Sequence, residues 1–397
     1  MTSIQKYEII SWLADANRKE ENNMKKKILS TILTIALSFS VVACGAVSET
    51  TSTSEDALIS ENNEVTDTKA SNEAAQGASE ITTTGEAASD EASDNIFPLT
   101  INHGLGETVI ESQPENVVAI AWGNPDVPLA LGVIPVGISE ANFGPRDENG
   151  LLAWTAKAFE DAGVEPNVFD DTDGWDYEAI SDCNPDVILA AYSGLSQEEY
   201  DRLSEIAPVV AYPEIAWTTT WQEETINDAI ALGLEEEGKA LVEETQELIN
   251  DKLSEYPALN GKKVAFFWLS EDDLGTFYIY TNNDPRAAFL SDLGFVMPDS
   301  IKSLITSDQD FSITVSAENA DLLNDVDIII TYGTESLVEA MKADGRFANI
   351  PAVANEAFVL LDSNDVLAAA STPTVLSIPY AIDDYIKALN DAAEKIQ

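Results

Sequence analysis

Residues 97–397 are predicted to form an α/β fold of two lobes, on three observations. Short β-branched runs alternate with helical stretches from Phe97 onward, the pattern of an α/β chain. The runs fall into two sets, separated by one unusually long helical stretch. About 300 residues lie between Phe97 and Gln397, room for two domains of ordinary size.

The first set of predicted strands is 117–121, 136–138, 187–191 and 209–212. The second is 264–269, 277–280, 328–332 and 358–361. Between them a helix is predicted over 235–256, where Leu241, Val242, Thr245, Leu248, Ile249, Leu253 and Tyr256 recur at helical spacing. Acidic residues crowd its first turn, where they suit the helix dipole, and Pro257 ends it. At 1.5 Å per residue such a helix is roughly 33 Å long, a rigid strut between residues 97–234 and 258–397. The two sets also echo each other. Trp175-Asp176-Tyr177-Glu178-Ala179-Ile180 leads to Asp186-Val187-Ile188, and Val315-Ser316-Ala317-Glu318-Asn319-Ala320 leads to Asp327-Ile328-Ile329. Each places a Glu near a helix start, then an acidic residue opening a buried strand.

Upstream, Lys25-Lys26-Lys27 precedes an apolar run over 28–43 that stops at Cys44, the pattern of an export signal. The run is too short for a membrane span, which needs about 20 apolar residues. Residues 1–23 are expected to be an extension preceding the true start at Met24, and 24–43 a signal peptide. Residues 44–96 contain no aromatic residue, are rich in Ser, Thr, Glu and Ala, and are expected to form a disordered acidic tether. Val41-Val42-Ala43-Cys44-Gly45 resembles a bacterial lipobox, with Val where Leu is commoner. That resemblance implies lipid on Cys44 and a place on the extracellular face of the membrane.

The chain carries 71 acidic and 20 basic residues, a net charge of −51, which excludes nucleic acid and anionic membrane as partners. Cys183 is expected at or near a core, and with Cys44 acylated no disulfide can form. Nothing marks an enzyme. The single histidine, His103, is expected on a surface strand before a tight turn and leaves no nucleophile–His arrangement and no His-rich metal site. His103-Gly104-Leu105-Gly106 lacks the third glycine of a dinucleotide fingerprint, and no phosphate-binding P-loop is present. Asp170-Asp171-Thr172-Asp173-Gly174 has its glycine too early for a calcium loop and reads as a polar loop.

Several ordered motifs point to one family. Pro114-Glu115-Asn116-Val117-Val118-Ala119, Leu129-Ala130-Leu131-Gly132-Val133-Ile134-Pro135-Val136-Gly137, Asn184-Pro185-Asp186-Val187-Ile188, Leu290-Ser291-Asp292-Leu293-Gly294-Phe295 and Ser377-Ile378-Pro379-Tyr380-Ala381 occur in that order. Together they resemble the iron–siderophore substrate-binding proteins of ABC importers. The chain departs from that pattern at Asn116 and Asn184, where a basic residue is usual. The resemblance implies two Rossmann-like lobes joined by one long helix, a monomer, and a ferric siderophore held in the cleft for delivery to a membrane permease. It also implies that Glu178 and Glu318, one per lobe, pair with Arg on the two permease subunits. Their alternative reading is as first-turn acids serving the helix dipole.

Ligands of open α/β sheets lie beyond the carboxyl ends of the strands. Trp122, Asn124, Asp126, Tyr192, Trp217, Trp221 and Tyr332 follow predicted strands there, and flat aromatic faces suit a bulky chelate. Trp217 and Trp221 read equally as staples of the helix that follows, and Trp268 as core. Arg286 is the leading basic candidate, with an ion pair to Asp284 or Asp292 as its alternative, and Arg146 is the second. Few Arg residues are present, which favours a neutral or weakly charged chelate such as a hydroxamate complex. Cobalamin or haem in the same fold, or a surface adhesin on the same tether, are the alternative functions. A free-metal importer is disfavoured because it would need several His. No cofactor is expected beyond lipid on Cys44, with iron entering only as the siderophore complex.

Overall fold

The computed structural model describes residues 96–396 apart from 172, 173 and 308; the upstream extension, the signal peptide, Cys44 and residues 44–95 of the tether lie outside the described residues. A hairpin of β1 (Leu99–His103) and β2 (Gly106–Ile110) opens the described chain. The strand and turn around His103 are as expected, but the ring is not on the surface. It is buried, with Nε2 3.0 Å from Thr108 Oγ1 and its edge on Tyr200.

The first lobe is built on β3 (Val117–Ala119), β4 (Gly137–Ser139), β5 (Val168–Phe169), β6 (Val187–Leu189) and β7 (Val209–Val210). They form one sheet in the order β5-β4-β3-β6-β7, and every neighbouring pair is parallel. This is the order of a Rossmann-type half, winding outward in both directions from β3. Val117, Ala119, Val187 and Leu189 point into one core with Phe159, while Val118, Ile120, Ile188 and Ala190 point into another with Ile180 and Leu203. Burial on both faces is why these strands read as continuous apolar runs. Three of them, β3, β6 and β7, end two residues before their predicted ends, because the chain leaves the sheet there to form loops.

The second lobe contains β8 (Val264–Ser270), β9 (Asp273–Tyr280), β10 (Ser312–Ser316), β11 (Ile328–Tyr332) and β12 (Phe358–Leu361), ordered β10-β9-β8-β11-β12. Here β8, β11 and β12 are parallel, and β9 and β10 are antiparallel additions. The echo between lobes is therefore partial: a hairpin after β8 stands where the first lobe has a crossover. Along β8, Val264 and Phe266 face one core while Ala265, Phe267 and Leu269 face the other.

The strut is the helix Glu235–Ser254, with Glu235, Glu236 and Glu237 in its first turn. Pro257 opens the 3₁₀ turn that follows. Gly238 lets the strut press on the preceding helix, Trp221–Ala231: a Cβ there would stand 2.3 Å from Ala229 Cβ. Further along, Val242, Leu253 and Tyr256 pack on the second lobe's core, and Lys252 pairs with Asp383 at 2.7 Å. One helix is thus fastened to both lobes. The C-terminal helix Ser377–Ala393 buries Ile378, Ile382, Ile386 and Leu389 in the same core. Among the described residues no helix is long and apolar enough to cross a membrane.

Candidate functional site between the lobes

In the first sheet the winding direction reverses at β3, so a crevice opens at its carboxyl end next to β6. The two loops that leave these strands are joined by Asn124. Its side chain is fully buried, with Nδ2 2.7, 3.0 and 3.1 Å from the carbonyl oxygens of Ile120, Trp122 and Tyr192. Its Oδ1 accepts the Tyr192 N–H at 3.1 Å. Both ends of the amide are occupied by backbone, so Asn124 is a staple that presents Trp122 and Tyr192, and it does not face the cleft as expected.

Trp122 is 8% exposed, and its Nε1 donates to the Thr372 carbonyl of the second lobe at 3.3 Å. Tyr192 lies edge-on to Trp217 at 5.4 Å. Trp217 rests directly on Gly194, where a Cβ would stand 2.0 Å from the indole Nε1. Trp122, Tyr192, Leu152 and Trp154 pack with Ala369, Ala370 and Ala381 of the second lobe, and Trp217 and Phe143 lie against that cluster.

The facing wall comes from the second lobe. Arg286 is buried, its guanidinium carbon 4.0 Å from the centre of the Tyr280 ring, and its Nη1 donates to Tyr332 Oη at 3.3 Å. Asp284, two residues earlier, caps the helix Pro285–Asp292 and accepts from Arg286 Nε at 2.8 Å and Nη2 at 2.5 Å. Of the two ion pairs the sequence allowed, Asp284 is the one formed. Tyr332 reaches across to the edge of Phe143 at 5.6 Å and bonds Ser371 Oγ at 3.1 Å. Burial pushes the Tyr192 phenol far above its ordinary pKa, Asp284 adds to the rise, and Arg286 opposes it. Tyr192, Trp217, Arg286 and Tyr332 therefore converge, with Trp122 behind them.

Besides Asn124, two further candidates do not join this group. Trp221 is 2% exposed and packs in the second lobe's core, with Nε1 on Asp292 Oδ2 at 3.0 Å. It is a brace between lobes and does not line the cleft. Arg146 is bound to Glu140 Oε1 and the Ala141 carbonyl, both at 2.7 Å. It borders an open depression of about 540 Å³ lined also by Glu140, Asp147, Glu148 and Asp170, a strongly acidic wall. Trp268, read as core, is half-buried against Tyr278 at 5.4 Å.

Glu178 and Glu318 are both exposed, each at the start of a short helical segment capped by the preceding Asp176 or Ser316. The segment after Glu318 is 3₁₀ with a kink at Asn319, not the α-helix seen after Glu178. Glu318 Oε1 lies 3.6 Å from Arg346 Nη1.

Beneath the Trp122 loop lie three buried acids: Asp126, expected beyond the strand end but turned inward, and Glu224 and Asp228, which sequence reasoning missed. Asp126 accepts from Trp154 Nε1 and Thr155 Oγ1, both at 2.8 Å, and from Thr374 Oγ1 of the second lobe at 2.5 Å. Burial raises its pKa to about 6, against the pull of those hydrogen bonds. Glu224 sits under Gly123, whose Cβ would stand 2.4 Å from Glu224 Oε1. Asp228 is fully buried, and neither of its oxygens has a hydrogen-bond partner among the described residues. Burial drives both carboxyl groups well above the usual range, and Asp228 adds to the effect on Glu224. The available signal was spacing: Trp221, Glu224, Thr225, Asp228 and Ala229 share one helix face, and that face is buried.

Comparison with known proteins agrees with this architecture. Residues 117–364 match the family model described as periplasmic binding protein. The crystal structure of PiaA from Streptococcus pneumoniae TIGR4 in complex with ferrichrome superposes with a TM-score of 0.72 at 43% identity, covering 75% of this chain and 99% of that one. The Fe(3+)-citrate-binding protein YfmC of Bacillus subtilis is 27% identical over 258 residues, 63% of this chain and 74% of its own length. The Fe(3+) dicitrate-binding periplasmic protein FecB of Escherichia coli is 24% identical over 275 residues, 68% of this chain and 84% of its own.

Proposed function

Since this chain belongs to the periplasmic binding protein family, a group of non-enzymatic solute binders, we propose that its cleft carries an electrically neutral ferric hydroxamate of the ferrichrome kind. The chain is the substrate-binding component of an iron ABC importer. Its relatives divide over the ligand, since YfmC and FecB are named for ferric citrate and PiaA was crystallised with ferrichrome.

One observation favours the neutral chelate: the cleft arginine, Arg286, is already matched by a carboxylate, that of Asp284. Three hydroxamate groups balance the charge of ferric iron, so their complex enters the cleft without a counter-charge. Ferric citrate is anionic and would find no unmatched guanidinium in the cleft to receive it. Phe143, Trp217 and Tyr332 are half-buried and offer flat faces to a bulky ligand. Titration with ferrichrome and ferric dicitrate tests the choice: ferrichrome is expected to bind at least tenfold more tightly, and the reverse order refutes it.

The proposal extends to delivery. Lipid on Cys44 would hold the protein at the outer face of the membrane, with 45–96 as its tether. Glu178 and Glu318 would each meet an arginine of a permease subunit; their exposure at the starts of capped segments supports this role.

A further inference from the structure

Arg286 and Asp284 form an ion pair, but their positions divide the work. Asp284 is fully buried and takes no part in the wall of the cleft, whereas Arg286 Nη1 reaches the phenol of Tyr332 at the inter-lobe contact with Phe143. Asp284 Oδ1 accepts from the Arg286 N–H at 2.9 Å and from Nε at 2.8 Å, and Oδ2 accepts from Nη2. Three donors of one residue converge on one carboxylate, while the guanidinium face is covered by Tyr280. The remaining N–H groups can still donate to a ligand oxygen, but the charge behind them is already balanced.

We propose that Asp284 is the specificity-determining residue of the cleft: by neutralising Arg286 it excludes anionic iron chelates while leaving a hydrogen-bond donor for neutral ones. The inference rests on the neutral-ligand reading above and names the residue that enforces it. Little solvent reaches this site, so an unmatched guanidinium would attract an anion far more strongly than an exposed one. Removing the carboxylate should therefore convert the site rather than merely weaken it. Helix capping is the competing explanation for Asp284, and it predicts no change in ligand charge preference.

The test measures dissociation constants of ferrichrome and ferric dicitrate for the wild-type protein, Asp284→Asn, Asp284→Ser and the double variant Asp284→Asn/Arg286→Gln. Asn and Ser both retain helix-capping ability, so a folding defect in one leaves the other to report. The expected result is a shift of at least tenfold towards ferric dicitrate in both single variants, and return to the wild-type preference in the double variant. Single variants that fold, bind ferrichrome and keep the wild-type preference overturn the role of Asp284. A wild-type protein that itself prefers ferric dicitrate overturns the neutral-ligand reading, and that outcome is visible before any variant is made.

Discussion

Trp221 Nε1 donates to Asp292 Oδ2 at 3.0 Å, joining a helix of the first lobe to a helix of the second. Gln222 Nε2 reaches the same oxygen at 2.9 Å. With Asp126–Thr374 and Trp122–Thr372, this makes three polar ties between lobes in addition to the strut. The lobes are thus fixed to each other at the back of the cleft, and the aromatic wall is held in shape before ligand arrives.

Trp221→Phe removes the indole donor and leaves Asp292 with one partner fewer in a mostly buried place. The expected loss is about 0.5–1.5 kcal/mol of folding stability, the net range for one hydrogen bond, because Gln222 still holds the same oxygen. Urea unfolding measures it. Ferrichrome affinity should change by less than about threefold (0.6 kcal/mol), because the indole lies in the core and not on the cleft wall.

The three buried acids give stability a definite pH dependence. Asp126, Glu224 and Asp228 all have folded-state pKa values raised by burial. In the unfolded chain these carboxyls release their protons near pH 4, whereas the folded protein retains them. Folding therefore takes up protons above that pH, and the contribution of these groups is fully present in acid and is lost as pH rises through the folded values. The slope is about 1.4 kcal/mol per pH unit for each group so affected. Glu224→Gln and Asp228→Asn should each raise the melting temperature at pH 8 relative to wild type and change it little at pH 4. Equal effects at both pH values would show that the acids are not held protonated.

Gly194 is where the cleft tolerates no side chain. A methyl group there would stand 2.0 Å from the Trp217 indole, so Gly194→Ala must displace that ring. Ferrichrome binding is expected to weaken at least tenfold, about 1.4 kcal/mol, with the fold retained by circular dichroism. Unchanged affinity would remove Trp217 from the binding wall.

Docking separates from binding in a charge-reversal pair. Glu178→Arg combined with Glu318→Arg should leave ferrichrome affinity unchanged and abolish permease-dependent iron uptake in cells. Loss of ligand binding in the purified double variant would contradict the docking role. Because Glu318 already has Arg346 3.6 Å away, Glu178→Arg alone should reduce uptake more than Glu318→Arg alone.

Much of this architecture was legible because burial on both faces makes a strand read as an unbroken apolar run. The strut was equally plain, since its apolar positions recur at helical spacing over a long stretch. The two-residue β5 and the polar β10 carried no such signal: Ser312-Ile313-Thr314-Val315-Ser316 is an edge strand that the sheet, not its composition, makes regular. At the site, strand ends located the aromatic residues but could not orient them. Trp217 and Trp221 are alike in sequence, yet one rests on Gly194 beside the cleft and the other lies in a core. Glu224 and Asp228 were hidden among 71 acidic residues, where an acid looks solvated until the fold covers it. The Arg286–Asp284 pair was visible as an alternative, and only three-dimensional proximity selects it over Asp292.

The central claim is that the cleft between the lobes takes a neutral ferric hydroxamate. The most direct measurement follows tryptophan fluorescence while the protein is titrated with ferrichrome, iron-free ferrichrome, ferric dicitrate, cobalamin and haem. Trp217 lies beside the cleft and Trp122 just behind it, so saturable quenching by ferrichrome at sub-micromolar concentration, weak with the iron-free form and with ferric dicitrate, is the predicted result. Saturation by ferric dicitrate, cobalamin or haem in place of ferrichrome, or no response to any of them, would contradict it.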